Sequence, residues 1–525
     1  MKAAVVLVLL GLLAAAGCTG GETNGDSAPR RAPFEEVGCP SDVDASVLAP
    51  ITCGYVTVPE DRTDPGRTIR LFVLRVEPPE RLHEEPVFIA GTNLGNAPNY
   101  GGIAPVAQRL GREAILLDPR GVGHSEPSLA CPEVEVRRRA VLAAATSDED
   151  VRASFLSAVA ACRQRLEGER IDLDAYTVEA MAADAEDLRR ALGIERWNVH
   201  SYGTAARITL EMLRSSDSGV RAAFMDSPEP EQVDPRREGA LALRTSLEHV
   251  AALCRDDIRC RRQYGDPSVT LERALRKLAG APERIEVLDP ATGEEVSVLV
   301  DDVMLLRLLR AVISDGGSSG SLFLPESVPA LVSLAARGRL AELGSLLKPL
   351  AGEDTAYCTG YVPKCADQMA LSEGVYYSVM CRDAGIPDDA KGVQSDAVAA
   401  EPAYAEMFGD NPFGDVCSRW GEVERTGAAR PLVESDVPAL VLVGGFATYN
   451  RLSTIRAGID GLSEATVVVN PRQGHNVLVG ACMGEIRLRW HQDFELTGRD
   501  LSCIDDRMPW KSERDLLRAA AAAGG

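Results

Sequence analysis

The sequence predicts an α/β fold: a mostly parallel, doubly wound sheet with an inserted helical lid. Short apolar runs recur along the chain, helical patterns lie between several of them, and the alternation lapses between about 230 and 430 before it resumes. The predicted strands run Thr68 to Val76, Val87 to Ala90, Ala114 to Asp118, Trp197 to His200, Ala222 to Asp226, Ala439 to Gly444 and Thr466 to Asn470. Several are continuous apolar runs, the pattern of strands buried on both faces. The clearest helix is Val178 to Leu192, with Thr177 as N-cap and Gly193 just past its end. In the middle region, Ser327 to Arg337 and Arg339 to Leu347 read as helices of the lid. The expected organisation is a signal peptide over 1–18, a flexible linker over 19–37, the first part of the core over 38–229, the lid over 230–430 and the rest of the core over 431–525. There is no internal repeat, and low complexity is confined to the linker and an Ala-rich tail over 518–525.

The N-terminus carries Met1-Lys2, an apolar run from Ala3 to Ala16, then Gly17-Cys18 and a polar stretch. That run is too short for a spanning helix and reads as a secretion signal. Small residues before Cys18 resemble a bacterial lipoprotein signal, with Ala15 departing from the usual Leu; this implies a lipid on Cys18 and attachment to the outer face of the cell membrane. Setting Cys18 aside leaves 12 of the 13 cysteines, an even number that suits an oxidising compartment. Short loops close at little entropic cost, so the expected pairs are near neighbours: Cys39–Cys53, Cys131–Cys162, Cys254–Cys260, Cys358–Cys365, Cys381–Cys417 and Cys482–Cys503. No CxxC pair or Cys/His cluster calls for a metal, and no cofactor is expected. A formal net charge of −22 argues against nucleic acid, which needs clustered Lys and Arg. A monomer is expected, with a peptide or small molecule as its partner.

The motif Asp118-Pro119-Arg120-Gly121-Val122-Gly123-His124-Ser125 follows an apolar strand, where its glycines allow a tight turn. Further along come Ser201-Tyr202-Gly203-Thr204 after a strand, Tyr377-Ser378-Val379-Met380-Cys381-Arg382-Asp383-Ala384 in the lid, and Gly474-His475-Asn476 after the last strand. In that order these segments resemble the tripeptidyl-aminopeptidase and proline-iminopeptidase branch of the α/β hydrolases, over roughly residues 53–503. The resemblance implies an α/β-hydrolase fold and a serine nucleophile on a sharp strand-to-helix turn. Ser201 is the expected nucleophile. Its neighbours read Val199-His200-Ser201-Tyr202-Gly203, so the usual Gly-x-Ser-x-Gly is broken. The literal match at Gly316 to Gly320 follows no core strand and is rejected.

His475, on the loop after the final strand, is the expected general base. The acid is missing: after Ala439 to Gly444 the relatives place an Asp where this chain has Ala447. Asp226 is the candidate substitute, weighed against a simpler role as a loop cap. Oxyanion donors are expected from the Tyr202 amide and from Gly91 and Thr92, in a loop that departs from the family's Gly/Pro-rich run. Two readings follow: a cell-surface serine hydrolase of peptidase type, and a catalytically impaired relative that binds a ligand under its lid.

Overall fold

The computed structural model describes residues 34–43, 49–91, 93–95, 98, 100–134, 148–215, 219–232, 235–288, 295–314, 325–347, 371–383, 404, 413–421, 431–475, 477–478, 480–504 and 507–523. Cys18, Thr92, Cys358 and Cys365 lie outside them.

Eleven strands are described: β1 Phe34–Val37, β2 Ile51–Pro59, β3 Thr68–Val76, β4 Val87–Gly91, β5 Ala114–Leu117, β6 Trp197–Tyr202, β7 Val220–Asp226, β8 Glu283–Leu288, β9 Glu295–Val300, β10 Ala439–Gly444 and β11 Ala465–Asn470. Nine form one sheet in the order β1-β2-β3-β5-β4-β6-β7-β10-β11. The β1, β2, β3 and β5 pairings are antiparallel, and β5, β4, β6, β7, β10 and β11 run parallel. Every residue of β4, β5 and β10 is buried, which is why these strands read as unbroken apolar runs. Helices cover both faces. On one, Ala206–Arg214 and Val178–Ala191 pack over Val199, Ala223 and Val441; on the other, Ala481–Asp493 packs Met483, Ile486 and Trp490 against Phe224, Leu440 and Leu442.

Local signals account for most boundaries. The Thr177 hydroxyl accepts the Ala180 amide at 3.1 Å, capping Val178–Ala191. The important difference is at β6, expected to stop at His200 but continuing through Tyr202.

Between β7 and β10 lies the lid. Its helices Pro235–Asp256, Pro267–Gly280, Asp302–Ser314 and Val328–Arg337 share a core of their own, with Leu243, Leu275, Leu306, Leu309 and Leu331 fully buried. Two features differ from the expectation of an all-helical insertion. β8 and β9 form an antiparallel hairpin, and Leu340–Leu347 is a 3₁₀ segment kinked at Gly344. The Ala-rich tail is helical over Glu513–Ala523, with Leu516 and Ala520 buried in the lid's core. Disulfides join Cys39–Cys53, Cys131–Cys162, Cys254–Cys260, Cys381–Cys417 and Cys482–Cys503. No described helix is long and apolar enough to cross a membrane.

Candidate functional site

The motif around Asp118 builds a scaffold. Arg120 is fully buried, donates to both carboxylate oxygens of Asp184 at 2.8 and 2.7 Å, and caps the carbonyls of Glu60 and Ala175. Asp118 accepts the Tyr100 hydroxyl at 2.6 Å and the His124 amide at 2.7 Å, while the Ser125 hydroxyl accepts the Phe72 amide. These bonds hold the loop after β5 against β3, and a buried Arg so fully hydrogen-bonded is positioned for structure.

A strand-to-helix turn follows β6. Gly203, with φ of +54°, is the residue that makes it, and the chain then enters a short 3₁₀ turn and the helix Ala206–Arg214. Positive φ is cheap for glycine and strained for most others. Ser201 lies two residues earlier, inside β6 and registered against Met225 of β7. Its side chain is fully buried, and its Oγ accepts a hydrogen bond from the Thr209 hydroxyl at 2.8 Å. The expectation that Ser201 stands on the turn with an exposed hydroxyl is therefore corrected: the strand continues past it, and the turn presents glycine. One feature of the sequence carried this. A turn in which strand and helix approach closely needs small residues two before and two after its centre, and Ser201-x-Gly203-x-Ala205 meets that requirement, whereas a frame centred on Ser201 would put Val199 there.

The oxyanion donors shift accordingly. The amide following the turn is that of Thr204, not Tyr202, and it donates to Asn93 Oδ1 over a long 3.4 Å. The Leu94 amide, from the loop after β4, donates to Thr204 Oγ1 at 2.8 Å. Gly91 is the last residue of β4, in register with Ser201, and a Cβ on it would lie 3.5 Å from Ala205 Cβ. Two amides placed to meet a developing oxyanion are thus engaged within the protein.

His475 lies on the loop after β11. Its amide donates to the Ser314 carbonyl at 3.0 Å, and its own carbonyl accepts from the Ser227 hydroxyl. The residue as a whole is half-buried, and its ring packs tilted against Tyr449, centroids 4.5 Å apart. Burial, followed by the positive charge of Arg310, lowers its pKa to about 4. That is the reverse of what a general base needs, namely a neighbour that stabilises the imidazolium. Asp226 does not supply it. Its Oδ1 and Oδ2 accept the amides of Val477 and Leu478 at 3.3 and 2.9 Å, so it caps the loop, and burial raises its pKa to about 7. The substitute-acid expectation gives way to the cap because the two loop amides are otherwise unsatisfied. Among the described residues no carboxylate is hydrogen-bonded to the His475 ring. Ala447 is 7% exposed, its carbonyl accepting from Ser246 of the lid. The loops after β10 and β11 pack so closely that a Cβ on Gly444 would collide with the Gly474 carbonyl.

Residues 85–247 match the family described as alpha/beta hydrolase fold. Tripeptidyl aminopeptidases of Streptomyces lividans and Streptomyces coelicolor are each 32% identical to the chain over 177 residues. That stretch is 31% of this chain and 32% of each relative, so the chain spans about a third of the length of the curated relatives it matches. Among solved structures, proline iminopeptidase of Mycobacterium smegmatis aligns at 16% identity with a TM-score of 0.35, covering 85% of this chain and 99% of that one. The fold is that of the α/β hydrolases, and the relatives identified by sequence are aminopeptidases.

Proposed function

We propose that this α/β-hydrolase-fold, aminopeptidase-like protein is an exported lipoprotein that binds a peptide or similar small molecule beneath its lid without Ser–His hydrolysis. The observation that carries this reading is Gly203: the turn that would expose a nucleophile has no side chain. Ser201 being buried against Thr209, the engaged Thr204 and Leu94 amides and the absence, among the described residues, of a carboxylate bonded to the His475 ring all point the same way. Magnitudes decide. Removing a serine-protease-type nucleophile or base costs about 10⁶-fold, and losing the orienting acid alone about 10⁴-fold. Losing the nucleophile alone therefore removes about all that the triad supplies, and occupied oxyanion donors remove about 10²–10³ more.

Export and attachment through Cys18 rest on the N-terminal sequence, and the five disulfides among the described residues suit an oxidising compartment. Because the curated relatives are named tripeptidyl aminopeptidases, peptides with a free N-terminus are the first ligands to try. His475, retained in the chain order of the hydrolases, favours the second reading, a serine hydrolase acting through Ser201 and His475. The two readings separate in one assay: tripeptidyl nitroanilides are incubated with the protein while melting temperature and released nitroaniline are followed. Binding is expected to raise the melting temperature with no turnover above a heat-denatured control. Turnover abolished by Ser201→Ala would establish the second reading instead.

A further inference from the structure

The lid contains a cleft of its own, about 200 Å³ in volume, between three of its helices. Pro235–Asp256 contributes Leu247 and Ala251, Pro267–Gly280 contributes Leu271 and Leu275, and Val328–Arg337 contributes Val328 and Val332. The spacing of four residues puts each pair on one face of its helix. All but the half-buried Leu271 are buried, and Ala251 is the smallest side chain among them. Exposed Arg244, Glu248 and Glu272 stand at the mouth.

This cleft is separate from the space beneath the lid, and the helix Pro235–Asp256 divides the two. Arg244, Leu247, Glu248 and Ala251 lie on the face toward the cleft. The opposite face grips the loop after β10: Glu238 accepts from the Arg451 guanidinium at 2.8 Å, the Ser246 hydroxyl donates to the Ala447 carbonyl, and the His249 ring packs on Phe446. Neither His475 nor any residue of the turn at Gly203 lines the cleft.

Size and charge together select the occupant. An apolar cavity of about 150 Å³ accepts benzene, whereas drug-sized ligands occupy about 300 Å³ or more, so this cleft suits one ring with a short branch. The charges at the mouth are matched: Arg244 Nε donates to Glu248 at 2.9 Å, and Glu272 pairs with Arg276 at 3.7 Å. The Ser268 hydroxyl, which also lines the cleft, accepts from Arg255 at 3.3 Å. Nothing there is left to select an ion, and the apolar walls supply the attraction. We propose that the cleft binds a small uncharged apolar molecule, a single aromatic ring with at most a short alkyl branch, at a second ligand site within the lid.

Two measurements test it on the full protein. Crystals exposed to bromobenzene, with diffraction recorded at the bromine edge, are expected to give an anomalous peak between Ala251, Leu275 and Val332. In solution, ethylbenzene should raise the melting temperature saturably by about 1–2 °C, whereas 2-phenylethylammonium and phenylacetate, which join the same ring to a charge, should leave it unchanged. Ala251→Leu fills the cleft and should abolish the ethylbenzene shift; should that variant fail to fold, Leu271→Trp fills it from the half-buried wall. A charged analogue that shifts the melting temperature as much as ethylbenzene would overturn the proposal, because the mouth would then be selecting an ion. An ethylbenzene shift that survives in the filled variant would overturn it by placing the ligand elsewhere. A cleft occupied by ordered water or by another segment of the chain, with no bromine peak, would overturn it as well.

Discussion

Ser201 and Asp226 are both buried polar side chains whose neighbours explain them without catalysis, and their removal has distinguishable consequences. Ser201→Ala deletes an acceptor for the Thr209 hydroxyl, so it should cost about 0.5–3 kcal/mol in chemical denaturation and leave ligand binding unchanged. A loss of binding with stability intact would place the hydroxyl in the site. Asp226 and His475 also predict how stability responds to pH. His475, at about 4 in the folded protein against 6.5 ordinarily, contributes stability that is present above pH 6.5 and lost as pH falls toward 4. Asp226 has the opposite sign: at about 7 against 3.8, its contribution is full below pH 3.8 and is lost as pH rises through 7. Between pH 4 and 6.5 the two oppose each other. Asp226→Asn removes one of them, so the stability difference between the parent and this variant should shrink steadily from pH 4 to pH 7 in denaturant titrations. A difference that grows with pH would mean that the carboxylate is stabilised as the anion.

Elements were legible wherever burial wrote a period or a continuous run. β3 and β10 match their expected bounds, and Val178 to Leu192 is within a residue of its helix, because apolar spacing and the Thr177 cap act locally. The end of β6 was not legible from the Ser-Tyr-Gly-Thr resemblance, since the stop of a strand is set by the next element's packing. Those two extra residues decide which side chain the turn presents. The spacing of Ser201, Gly203 and Ala205 held the answer in steric terms. In the lid, β8 and β9 were missed because their residues pair mainly with each other, and Leu299 remains 47% exposed. The lid helices Glu373–Asp383 and Phe413–Trp420 are cross-linked by Cys381–Cys417, whose loop closes over a sequence separation of 36. Replacing both cysteines by serine should cost about 2–4 kcal/mol, read as earlier thermal unfolding. No change in unfolding would mean that this bridge constrains little.

At the scale of the molecule, the sheet order and the segment inserted between β7 and β10 are those of the α/β-hydrolase fold, while the turn after β6 carries Gly203. Fold and function separate because a sheet of buried strands tolerates changes at its loop ends that would abolish turnover. The resemblance in sequence therefore foretold the architecture, while it aligned the expected nucleophile Ser201 two residues before the turn that the structure forms at Gly203. The account's central claim is that Gly203 occupies the turn and no serine is activated there. Its most direct test is intact-mass analysis of the protein after incubation with a fluorophosphonate, which bonds covalently to activated serines. The predicted result is no stoichiometric adduct in the native protein. A stoichiometric adduct mapped to Ser201 and lost in His475→Gln would contradict the account.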